Sequence, residues 1–141
     1  MKVNEVLGQW RMKYMISFDE DLNAKHALLE DLAAEKDDKE LKIMSITIME
    51  FTPDGNIDMK IPIEKTGYTV EQVEADGMKV KDGYVMMDSN YWKEKDGEVY
   101  ADTGLEGEVL GEKVDGWEKL SLNEDGLLPV LGGMYLCEKI L

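Results

Sequence analysis

Short apolar-alternating segments separated by tight-turn dipeptides predict an all-β fold with one short helical insertion. The architecture they predict is an antiparallel up-and-down β-barrel of about ten strands. Two observations carry this. Residues 10–16 alternate apolar and polar, and six Asp-Gly dipeptides follow, starting at Asp54, Asp76, Asp82, Asp96, Asp115 and Asp125. Asp-Gly suits a tight hairpin because Gly takes positive φ without a Cβ clash and Asp tolerates it. A sheet built of hairpins keeps reactive edges unless it closes on itself. The 141 residues are expected to form one domain over 1–141, large enough to bury a core without staples.

The elements follow in order. Trp10, Met12, Tyr14 and Ile16 fall on one face of the first strand, with Gln9, Arg11 and Lys13 on the other. After Phe18 the period changes. Leu22, Leu29 and Leu32-Ala33 recur near helical spacing behind an acidic start, which predicts one or two short helices over about 19–36. Residues 41–52 and 56–64 then read as a hairpin around Pro53-Asp54-Gly55. A three-residue loop with Gly55 at the left-handed position pairs Phe51 with Ile57, Met49 with Met59, Thr47 with Ile61 and Ser45 with Ile63. The opposite face of the earlier strand carries Met44, Ile46 and Ile48. That surface is either covered by the helices or forms a contact between copies of the chain. Strands over 67–74, 78–82, 84–89, 90–95, 98–103, 107–113, 116–122 and 128–140 complete the meander. Gly132-Gly133 marks a bulge or bend in the last of them.

Composition bounds the function. Sixteen basic against thirty-one acidic residues give a net charge of −15. Such a surface repels phosphate backbones and anionic lipid, so no nucleic-acid or membrane partner is expected. No apolar run approaches a bilayer span and residues 1–10 hold no leader-like core, which makes a cytoplasmic location the expectation. The single cysteine, Cys137, excludes an internal disulfide and sits in an apolar strand as a small core or wall residue.

A first strand opening on Gly8-x-Trp10, a helical insertion and a long meander together resemble the calycin superfamily. This comprises lipocalins and intracellular fatty-acid-binding proteins, and bacterial lipocalin-like domains are the nearest in kind. The resemblance implies that Trp10 packs across the closed end of the barrel beside Gly8, that the helices form a lid, and that the barrel holds a pocket. One departure matters. Fatty-acid-binding proteins carry an Arg-x-Tyr pair on the last strand that grips the ligand carboxylate, and here Tyr135 and Cys137 stand in its place. The one arginine, Arg11, is expected to face outward, and a buried carboxylate without a cationic partner is costly. Fatty acids are therefore expected to be poor ligands.

The candidate cavity-lining residues are Met12, Tyr14, Met49, Phe51, Met59, Ile61 and Tyr135. Methionine adapts to varied ligands, though the same residues also serve to fill a core. Trp92 and Trp117 are expected at the wall or rim. Asp19, Asp21, Asn23 and Glu30 match four oxygen positions of a calcium loop, but Ala24 stands where the turn needs glycine. Helix capping explains these residues, so no metal and no cofactor is expected. His26 and Cys137 lie on different segments and no serine occupies a nucleophile elbow, so an enzyme is not expected. The sequence predicts non-covalent binding of a small neutral or weakly polar apolar molecule inside the barrel. The alternative is a solid-core interaction module, and a ligand-sized cavity separates the two.

Overall fold

A computed structural model describes residues 1–103, 107–109, 112–114 and 116–140. The elements are α1 (Val3–Val6), β1 (Gly8–Phe18), β2 (Ala24–Leu28), α2 (Leu29–Lys36), α3 (Lys39–Ile46), β3 (Ile48–Phe51) and β4 (Asn56–Pro62). A 3-10 turn (Ile63–Lys65) then leads to α4 (Val70–Ala75), β5 (Lys79–Lys81), β6 (Tyr84–Lys95) and β7 (Glu98–Asp102). The chain ends with β8 (Gly107–Val109), β9 (Glu112–Val114), β10 (Trp117–Lys119), β11 (Leu128–Val130) and β12 (Tyr135–Lys139). One antiparallel sheet runs β10-β7-β6-β4-β3-β1-β12-β11, with β2 added to β1 and β5 added to β6, while β8 and β9 pair with each other. It curls into a nearly closed all-β barrel, as the turn pattern predicts.

The hairpin turns follow from local chemistry. Asp82-Gly83 and Asp96-Gly97 each place two successive residues at positive φ, the two-residue turn that matches strand twist. Gly55 takes φ +90° and the Thr52 amide donates to the Asn56 carbonyl at 2.9 Å, closing the three-residue loop. Phe51 pairs with Ile57 and Met49 with Met59 across it. Asp76-Gly77 behaves differently. It ends α4, where the Met78 amide donates back to the Val73 carbonyl at 3.3 Å. Asp115 lies outside the described residues.

Several sequence-based boundaries shift. The expected helix over 19–36 begins only at Leu29, because one Asp19 carboxylate oxygen accepts from the Asp21 and Asn23 amides, both at 2.9 Å. Such a side-chain turn competes with helix, and residues 24–28 then pair antiparallel with β1 as β2. A second helix occupies Lys39–Ile46, capped by Asp38, whose side chain accepts from the Glu40 and Leu41 amides. The strand expected over 41–52 therefore keeps only 48–51, and the pairs Thr47–Ile61 and Ser45–Ile63 do not form. Met44 and Ile46 sit on α3 instead of a strand face. Ile46 packs on Ile61, Val73 and Val85, and Ile48 is buried. Residues 67–74, expected as a strand, hold α4 behind a Thr69–Gln72 capping box. Segments 84–89 and 90–95 merge into β6, and 128–140 splits into β11 and β12. Three successive positive φ values, at Leu131, Gly132 and Gly133, make that split a sharp turn.

A bulge changes the facing of β1. Met12 pairs with Cys137, Tyr14 with Leu136 and Met15 with Tyr135, so one extra residue enters β1 between Met12 and Tyr14. Directly paired residues share a face. Met12 and Met15 accordingly lie on the Cys137 side, and Tyr14 turns to the opposite side, contrary to the simple alternation.

Candidate functional site

Trp10 is 2% exposed, and its indole N–H donates to the Val6 carbonyl at 2.8 Å. The N-terminal segment covers this end of the barrel. Val6 is fully buried, Met1 and Val3 pack on the same cluster, and the Val99 amide donates to the Met1 carbonyl at 3.0 Å. Gly8 opens β1 at φ +122° and pairs with Phe51.

The seven candidate lining residues separate. Met49 and Phe51 belong to a core cluster with Trp10, Ile57, Val99, Leu120, Leu128 and Cys137, and Met12 and Met59 pack against it. Ile61 belongs to a second cluster with Val73 and Val85. Tyr135 is half-buried on the Cys137 face, and Tyr14 turns away. Burial pushes the Cys137 thiol up to about 12, which leaves it protonated and inert at neutral pH.

Three of the cations on the sheet are paired. The Arg11 guanidinium pairs with Glu138, and Lys13 reaches the other carboxylate oxygen of Glu138 at 3.1 Å. Burial pulls the Glu138 carboxyl up, but the hydrogen bonds from Lys13 and Arg11 outweigh it and hold it below the usual range. Lys60, which reads as an outward residue in sequence, is 8% exposed. Its ammonium meets Glu50 at 2.6 Å and lies 4.1 Å from the Tyr84 ring. Lys60 pairs with Ile48, so it occupies the face opposite Met49 and Met59.

A hollow open to solvent lies elsewhere, at the seam where β10 and β11 end the sheet. A cleft of about 610 Å³ is lined by Thr103, Gly116, Trp117, Glu118, Leu131, Gly132 and Met134. None of the seven residues expected from the sequence is among them. Glu118 pairs with Ala101, which packs on the core, so Glu118 shares the inward face of the sheet. From there its two carboxylate oxygens cross the seam and accept the Leu131 amide at 2.8 Å and the Gly132 amide at 2.7 Å. Trp117 carries Lys93 over its ring at 4.0 Å. A second hollow of about 270 Å³, beside Glu74 and Val80, is below the usual ligand-pocket range.

The sequence signals for this cleft were Trp117, expected at the wall or rim, and Gly132-Gly133, in whose turn the Leu131 and Gly132 amides meet Glu118. Glu118 itself, fourteen residues from Gly132, left no local mark. Asp19 and Glu30 fall in a loop and a helix respectively, and among the described residues no three His, Cys, Asp or Glu side chains gather as a metal site requires. His26 is exposed and its Nε2 meets the Gly133 carbonyl at 2.7 Å. No helix among the described residues is long and apolar enough to cross a membrane. Comparison with family models, curated proteins and solved structures finds no match.

Proposed function

We propose that this chain is a calycin-like, non-enzymatic binding domain for a small neutral apolar molecule, and that the molecule sits in the seam cleft. The observation that carries this reading is the cleft itself. Its volume of about 610 Å³ falls within the range of small-molecule sites, and Trp117, Leu131 and Met134 give it apolar walls. The Met49–Phe51 region is a less favourable site, because Trp10, Phe51, Leu120, Leu128 and Cys137 fill that volume with buried side chains. The same packing supports a second reading, a solid barrel that serves only as an interaction module.

Charge narrows the ligand. Arg11 and Lys60 are held by Glu138 and Glu50, and Glu118 adds a carboxylate to the cleft wall. A ligand carboxylate would meet like charge from Glu118 there, while the Lys93 ammonium is held over the Trp117 ring at 4.0 Å. Titration with the neutral dye Nile red tests the site. Dye fluorescence should rise on binding, and Trp117→Ala and Met134→Glu should each weaken it at least about tenfold, the size of a lost aromatic or apolar wall. Unchanged dye affinity in both variants would place binding outside the cleft, and no dye binding at all would favour the solid barrel.

A further inference from the structure

Building on the seam cleft as the ligand site, we propose that it selects apolar molecules bearing a hydrogen-bond donor, such as a hydroxyl, over ethers, hydrocarbons and carboxylates, and that Glu118 is the selecting residue. Three backbone donors around the cleft are already engaged. The Leu131 and Gly132 amides point at Glu118 at 2.8 and 2.7 Å, and the Met134 amide donates to the Leu131 carbonyl at 3.3 Å. The Thr103 hydroxyl donates to the Gly116 carbonyl at 3.0 Å.

Acceptor capacity is what the wall offers. Each carboxylate oxygen has two lone-pair sites, and the two amides use one on each. Glu118 can therefore take one more donor on either oxygen. The two amides also fix its orientation, so a ligand hydroxyl would meet an acceptor that needs no reordering. An ether or hydrocarbon of equal size gains apolar burial alone. A carboxylate ligand brings like charge and no donor.

The test displaces Nile red from the intact chain with dodecanol, its methyl ether and dodecanoate. The alcohol should compete about tenfold better than the ether, as a hydrogen bond to a charged acceptor predicts, with the acid weakest. In Glu118→Gln one acceptor oxygen becomes a donor amide, so the alcohol's advantage should fall to about twofold or less. Equal competition by alcohol and ether in the native chain, with dye binding still lost in Trp117→Ala, overturns donor selection and leaves the cleft as the site. Dye binding that ignores Trp117→Ala overturns both. If Glu118→Gln fails to fold, the alcohol–ether comparison in the native chain decides alone.

Discussion

Trp10 shows how one side chain joins sequence to fold. Its ring fills the end of the barrel and its N–H satisfies the Val6 carbonyl, which would otherwise be a buried acceptor without a partner. Trp10→Ala should cost about 3–5 kcal/mol in urea unfolding, through lost burial and a cavity. A loss under about 1 kcal/mol would remove Trp10 as the keystone of that end. Cys137 allows a pH test. Its thiol is raised by burial from 9.0 to about 12, so the folded chain keeps a proton that the unfolded chain releases. Stability from this source is complete below pH 9.0 and is lost as pH rises toward about 12. Cys137→Ala should flatten the fall in urea midpoint between about pH 9 and 11, though it lowers the midpoint at pH 7. Parallel curves for the two chains would contradict the buried thiol.

At the scale of elements, turns are the most local feature and the most legible one. Gly97 takes φ +81° with open space around its Cα, so a methyl group there meets only backbone strain. Gly97→Ala should destabilise by about 1 kcal/mol, measured by thermal or urea unfolding. A neutral result would mean that the β6–β7 turn relaxes to another type. Regions where local pattern misled had a competing local bond or a distant partner. Residues 41–46 read as the start of the strand over 41–52, yet the Asp38 cap starts a helix at Lys39 that takes them. The Thr69–Gln72 box that starts α4 is legible in residue types, although residues 67–74 read as a strand within the meander. The β1 bulge is set by pairing with β12, more than a hundred residues on, so no window around Tyr14 reveals its facing. The cleft was least legible of all. Glu118 and the Leu131–Gly132 amides meet only because the sheet curls until β10 and β11 approach.

For the whole molecule, the net charge of −15 and the local carboxylate at Glu118 both oppose an anionic ligand, but over different distances. The global field acts through solvent and is screened beyond about 10 Å at 0.1 M salt. Glu118 acts at contact distance, where salt reaches poorly. The two contributions can therefore be separated by ionic strength. Dodecanoate should displace Nile red less well than dodecanol at all salt concentrations, and the gap should narrow as NaCl rises from about 10 mM to 500 mM. It should not close, because the residual difference reports the unpartnered carboxylate beside Glu118. Glu118→Gln should lower the salt-independent part and leave the salt-dependent part nearly intact, since one charge in fifteen changes. A gap that vanishes at high salt would assign the selectivity to the surface alone. Tighter binding of the acid than the alcohol would mean that a lysine, such as Lys93 over the Trp117 ring, leaves its ring to meet the carboxylate. Lys93→Met would then abolish the preference.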